Sequence, residues 1–381
     1  MTFSGPSTGT RRLADKWKRL HWGIITVLCW LAAIGVVMHL SVAGDAWNGQ
    51  PLSHGARFAA VLAVALMLAM IDLRFWLAIA YPLYAFSLLL LVAVDLIGAV
   101  HMGAQRWLDI GPLSLQPSEI MKVALVLALA RYYHQLDAKI AGSLLSLIPP
   151  LLMIAAPTAL VMKQPDLGTS LLLAGAGFGL MFLAGIRWRY IVIGALIAGA
   201  AGFWAYEFKL QDYQRDRIAT FLDPEADPLG AGYHVAQSKI AIGSAGLLGQ
   251  GYQKGSQSQL DFLPEKHTDF IFTMITEEFG LAGAFIVLGL FAALLVMTMM
   301  VAVRARTLFG RLASGGVAIT LALYVFINTA MVIGLVPVVG IPLPLLSFGG
   351  TAMLTIMMGM ALVLSVHVHR DNSPGSSGFL W

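Results

Sequence analysis

The chain has 381 residues, of which 58% are hydrophobic and only 12% charged, and its mean hydropathy is +0.79. Soluble domains carry about 25% charged residues, so this composition excludes an ordinary water-soluble enzyme and points to a polytopic membrane protein. The net charge of +4, from 24 Lys and Arg against 20 Asp and Glu, reads as a topology signal and not as affinity for nucleic acid.

Apolar runs of about 17–25 residues mark membrane spans. In chain order ten are expected, at 22–42, 57–72, 75–96, 117–133, 142–162, 168–185, 190–206, 270–303, 311–333 and 349–367. The fold class is therefore all-α, a single transmembrane domain over 1–381 with a large loop, 207–269, between spans seven and eight. The first span holds the single cysteine, Cys29, which cannot form an intramolecular disulfide and reads as buried filler. That span lacks a nearby small-residue cleavage pattern and reads as an anchor, not a removed signal. The eighth run is too long for one straight span, so its start near Glu277 and Glu278 is expected at the membrane interface. Residues 234–249 are apolar but too short to cross, which suggests an interfacial or re-entrant helix. No strand alternation, repeat or low-complexity tract is evident; residues 368–381 form a cytoplasmic tail, whose end, "SPGSSGFLW", reads as flexible.

Orientation follows from Lys and Arg. Fourteen of the 24 fall on one side, in 1–21, the short connections after spans two, four, six and eight, and the C-terminus. The short segments of the other side carry four, Arg57, Arg106, Lys122 and Lys163. The long loop holds the other six, and long loops cross largely regardless of charge. The positive-inside rule places both termini in the cytoplasm, which gathers the unusual polar residues on the outer face. Ionisable groups at or within spans are costly and imply function by default.

Those residues fall into short constellations. In "LQPSEIMK", 115–122, Pro117 and Glu119 suit a helix start. Lys122 follows three residues on within the apolar run, as half of either a functional pair or a structural ion pair. Asp166 in "KQPDLGTS" suits a helix cap or a site residue. Arg106 beside Trp107, and Arg215 with Arg217 around Asp216, have the planar fork that suits phosphate oxygens, although surface roles fit them equally. "DFLPEKHTDFIF", 261–272, concentrates charge at a span edge, with Thr268 or Asp269 placed to cap the eighth helix. Gly349 and Gly350 in "LLSFGGT" allow close approach or positive φ. His267, Asp269 and Asp166 offer ligands for a divalent ion, which no spacing requires. No P-loop, GxGxxG, CxxC or HExxH pattern is present.

Taken together, "GAQRWLDIG", "QPSEIMK", "QPDLGTS", "YQRDRIATFLDPEADPLGAGYHVAQSKIAIGSAGLLGQGY", "QSQLDFLPEKHTDFIF" and "LVPVVGIPLPLLSFGGT" resemble the SEDS family (shape, elongation, division and sporulation) from about residue 20 to 368. "SQLDFLPEKHTDF" and "PVVGIPLPLLSFGGT" resemble its elongation branch more than its division branch; Ser256 and Phe348 are mild departures. The resemblance implies a peptidoglycan glycosyltransferase of the bacterial inner membrane that polymerises lipid II at an outer-face site. It implies a single-span class B penicillin-binding transpeptidase as partner, within the elongation machinery. It makes Asp269 the catalytic base, with Glu119 and Lys122 beside it. Arg106, Asp166, Arg215, Arg217, Lys239 and His267 become candidates for the substrate, alone or with a divalent cation such as magnesium or manganese. A lipid II flippase and a non-catalytic scaffold for the transpeptidase are the competing readings.

Overall fold

The structure, a computed structural model, describes residues 13–47, 49–101, 104–110, 113–136, 145–187, 189–190, 192, 194, 231–259, 262 and 266–370. A short helix α1 (Leu13–Lys18) precedes α2 (Trp22–Val42), α3 (Gln50–Ala69) and α4 (Leu73–Ile97). Strands β1 (Ala99–His101), β2 (Ala104–Ile110) and β3 (Leu113–Leu115) come next, then α5 (Pro117–Gln135), α6 (Ile148–Lys163) and α7 (Leu167–Leu183). The chain is described again at α8 (Ala231–Ser244), α9 (Ser256–Gln259), α10 (Ile271–Arg304), α11 (Leu308–Val332) and α12 (Gly350–Val368). Among the described residues seven helical stretches are long and apolar enough to cross a membrane; α7 is apolar but shorter. The expected seventh span, 190–206, lies almost wholly outside the described residues, as do Arg215 and Arg217.

α5, α11 and α12 form the centre. From Val123 to Ala130 every α5 residue is buried, so the helix is apolar all round because it faces protein on all sides. The peripheral helices turn large side chains outward, among them Trp30 on α2, Phe86 and Leu89 on α4, and Phe285 on α10. Bare surface of that kind is stable in contact with lipid, not water. Small residues set the close crossings. A Cβ at Gly175 or Gly179 of α7 would meet Leu323 at 2.9 Å or Ile319 at 2.8 Å on α11, the close approach that small residues four apart permit between membrane helices.

Two expectations need correction. Antiparallel β1–β2–β3 stands where no strand was foreseen; two strands of three residues are too short to show alternation. Cys29 is exposed, not buried. Glu277 and Glu278 are 0% and 1% exposed, packed within the protein next to a break in α10 at Gly280, where φ is 69° and ψ −167°.

The break is held by the chain that follows α8. Gln250 and Gly251 N–H groups donate to the Glu277 and Glu278 carbonyls at 2.9 and 3.0 Å, and the Leu281 and Ala282 N–H groups donate to Gly246 and Leu247 at 3.1 Å. A broken helix in a bilayer requires such replacement partners. Ser41 Oγ donates to the Glu278 carboxylate at 2.5 Å and the Gln257 N–H to that of Glu277 at 2.7 Å, tying α2 and α9 to the same point. Gly280 has a backbone conformation essentially restricted to glycine, and a Cβ there would fall 2.5 Å from the Leu247 carbonyl oxygen. Gly280→Ala is therefore expected to cost about 1–3 kcal/mol from the backbone alone and more from the clash. Thermal unfolding in detergent checks this; an unchanged melting temperature would show that the break admits a side chain.

Candidate active site

Helix directions alternate along the chain, so one end of the bundle collects the C-termini of α2, α4, α6 and α11 with the N-termini of α3, α5, α7, α10 and α12. Arg106, Glu119, Lys122, Asp166, Lys239, His267 and Asp269 all belong to that end.

Asp269 sits in the turn 266–270. The N-cap of α10 is Phe270, with no side-chain cap bond, so neither Thr268 nor Asp269 holds the capping position that the sequence allowed them. Three successive carbonyls of this turn are taken by other elements. The Phe348 N–H donates to His267 at 2.8 Å, Ser347 Oγ to Thr268 at 2.5 Å and Asn328 Nδ2 to Asp269 at 2.8 Å. The same Asn328 nitrogen donates to the Ile341 carbonyl at 2.7 Å. The half-buried Asp269 faces Gly340, whose φ is +71°; a Cβ there would lie 3.5 Å from Asp269 Oδ2 and, among the described residues, within 4 Å of no other atom outside its chain neighbours.

The loop 335–348 also reaches α7. A Cβ on Gly168 would fall 2.5 Å from the Val339 carbonyl, so Val339–Ile341 runs between the Asp269 turn and the start of that helix. Asp166 caps it, Oδ1 accepting from the Thr169 N–H at 3.2 Å, and Oδ2 accepts from Gln116 Nε2 at 3.3 Å. The capping role read from sequence holds, and the polar contacts are added to it. Arg106, carried on β2, lies 4.0 Å from Asp166 Oδ2 with its side chain 28% exposed and donates to the Gln164 and Pro165 carbonyls. Lys239 is exposed on α8 and lies over Gly334, where α11 ends.

Glu119 and Lys122 turn inward. Lys122 Nζ is 2.7 Å from Glu119 Oε1, with side chains 1% and 9% exposed, and Lys122 also contacts the Tyr324 hydroxyl. Tyr324 and Thr355 hydroxyls donate to Glu119 Oε2 at 3.1 and 2.7 Å. The network joins α5, α11 and α12. Gly349 is the α12 N-cap with extended φ of −160°, and neither it nor Gly350 is among the glycines of positive φ; a Cβ at Gly350 would meet Arg57 Cδ at 3.7 Å, an ordinary contact, and one at Gly349 would meet no described atom, so neither the positive φ nor the close approach read from sequence is found here. Among the described residues no three His, Cys, Asp or Glu side chains are grouped to hold a metal ion.

A profile of the family described as "Cell cycle protein", covering FtsW, RodA and SpoVE, matches residues 21–372. The chain belongs to this family. The peptidoglycan glycosyltransferase MrdB of Escherichia coli K12 is 47% identical over 317 residues, 81% of this chain and 83% of that one. A probable peptidoglycan glycosyltransferase FtsW of Alkalilimnicola ehrlichii is 38% identical over 369 residues, 93% and 90% of the two chains. Among solved structures, a chain of a peptidoglycan synthase complex, described for its coordination of polymerization and crosslinking, superposes with TM-score 0.82 at 32% identity, covering 93% of this chain and 99% of that one. The rod shape determining protein RodA of Thermus thermophilus gives 0.68 at 29%, covering 94% and 99%.

Within this member of the family the sequence reading missed several residues of the site. Asn328 and Tyr324 lie inside an apolar run with nothing local to mark them. Their i, i+4 spacing was the available signal, since it places both on one face of α11. His39 and His54 were also missed. Their Nε2 atoms lie 3.1 and 2.9 Å from the Leu346 and Leu345 carbonyls, and so hold the same loop against α2 and α3.

Proposed function

We propose that this protein is a peptidoglycan glycosyltransferase that polymerises lipid II during cell elongation, at a site on the extracytoplasmic face of the inner membrane. The observation that carries the reading is the setting of Asp269. Its turn is fixed through three consecutive backbone carbonyls, while its side chain stands outside the helix cap and half-exposed at the polar end of the bundle. A carboxylate held this way is placed to accept a proton.

The reaction joins a sugar 4-hydroxyl to the anomeric carbon of a second, lipid-linked sugar. As the hydroxyl oxygen forms the new bond, Asp269 takes its proton. The anomeric carbon–oxygen bond breaks, and its electron pair leaves on the polyprenyl diphosphate. An α-linked donor giving a β-linked product is an inversion, and one displacement with one base accomplishes it, as in inverting glycosidases. Arg106 and Lys239, with Arg215 and Arg217 from the 207–269 loop, supply cations for the departing diphosphate. Magnesium or manganese would bind chiefly through the diphosphate's own oxygens. Both termini lie in the cytoplasm, and a single-span class B penicillin-binding transpeptidase docks on the lipid-facing helices, in keeping with the synthase-complex neighbour.

Purified protein with labelled lipid II, alone and with the transpeptidase, tests this. Glycan chains whose yield rises with the partner are expected. Translocation across vesicles without chains would make the protein a flippase, and neither activity would leave a scaffold.

A further inference from the structure

We infer that Asn328 is a positioning residue for the transfer reaction: it sets where the Asp269 carboxylate stands. This inference rests on the reading of Asp269 as the general base.

Asn328 is 0% exposed. Its amide nitrogen donates to two carbonyls from separate parts of the chain, Asp269 at 2.8 Å and Ile341 at 2.7 Å. Both partners are acceptors only, so the nitrogen must face them; a flipped amide would set three oxygens together. Oδ1 has no partner among the described residues. The amide therefore uses both N–H groups, and only those, to join the Asp269 turn to the loop that carries Gly340. Both adjoin the carboxylate: one carries it, and on the other a Cβ built at Gly340 would lie 3.5 Å from Asp269 Oδ2, with no other described atom within 4 Å outside its chain neighbours. An asparagine kept fully buried with half its hydrogen-bonding capacity unused is costly as packing. It is economical as a two-pronged clamp on the position of one side chain.

A clamp on the base acts on turnover and not on substrate affinity. A misplacement of about 1 Å costs on the order of 100-fold in rate. Asn328→Ala and Asn328→Asp remove both donors, and kcat is expected to fall 10- to 100-fold with the KM for lipid II within about threefold of wild type. Because these changes strand two buried carbonyls, a second variant approaches from the open side. Gly340 is exposed, so Gly340→Ala meets mainly the strain of its positive φ, and among the described residues outside its chain neighbours its methyl meets the carboxylate. It is expected to remain folded and to move the acidic limb of the kcat–pH profile to higher pH, because the methyl shields the carboxylate from water.

The measurements are kcat, KM and the pH profile for both sites, with melting temperature and Asp269→Asn in parallel. Folded Asn328 variants with wild-type kcat, or Gly340→Ala with an unchanged profile, would overturn the inference and leave the base intact. Active Asp269→Asn would overturn the base assignment itself. A rise in KM that tracks a falling melting temperature, with kcat preserved, would make Asn328 purely structural.

Discussion

Asp269→Asn is expected to reduce glycan polymerisation by about 100- to 10,000-fold, the range that a positioned general base contributes, while leaving the fold, lipid II binding and partner binding in place. The substitution keeps the shape of the side chain, and the backbone carbonyl that Asn328 binds is untouched. What it removes is the ability to accept a proton. The sequence left open a second role for Asp269, capping α10, and that role predicts the opposite, because asparagine caps nearly as well as aspartate. The structure gives the N-cap to Phe270, so the capping defence of an active variant is no longer available. Polymerisation near the wild-type rate by a well-folded Asp269→Asn protein would remove Asp269 from the chemistry.

How much of this was legible in the sequence depended on whether the signal was local. Long apolar runs announced the spans, because crossing a bilayer imposes a length on each run separately. Pro117 and Asp166 announced their helix starts, because a cap is a contact within four residues. The polar end of the bundle was legible too, since charges at span edges are few enough to stand out. Contacts between distant segments were hidden. Asn328 reaches Asp269 and Ile341 only after α10 and α11 pack; on paper it is one amide in an apolar run. Nothing near Glu277 and Glu278 in sequence marks their partners; Ser41 and Gln257, 237 and 20 residues away, supply the donors. Gly249 and Gly280 are 31 residues apart in the chain, yet a Cβ on either would fall within 2.5 Å of the other's backbone nitrogen. The three-stranded sheet was missed for a related reason, because its two outer strands of three residues are fixed by their pairing with β2 and not by their pattern.

Lys122→Met is expected to be the most destabilising single change at the polar end, costing about 3–5 kcal/mol, the usual result of removing one partner from a buried ion pair. The Glu119 carboxylate would keep its hydrogen bonds from Tyr324 and Thr355 but would lose the ammonium at 2.7 Å and stand as a lone charge in low dielectric. Glu119→Gln alone leaves the converse, a buried ammonium beside a neutral amide and the Tyr324 hydroxyl. The double variant, Glu119→Gln with Lys122→Met, removes both charges and keeps an acceptor for Thr355, so most of the lost stability is expected to return. Polymerisation is expected to return with it. Lys122 is 1% exposed in its side chain, and its ammonium is already committed to Glu119 and Tyr324. Tyr324 stands one helical turn from Asn328 on α11, so the network braces the same helix that carries Asn328. Melting temperatures of the two single variants and the double variant give the coupling energy, and a lipid II polymerisation assay on the same preparations gives the activity. A double variant that folds and binds its partner yet makes no glycan would place the Lys122 ammonium in the reaction, against the diphosphate or against Asp269.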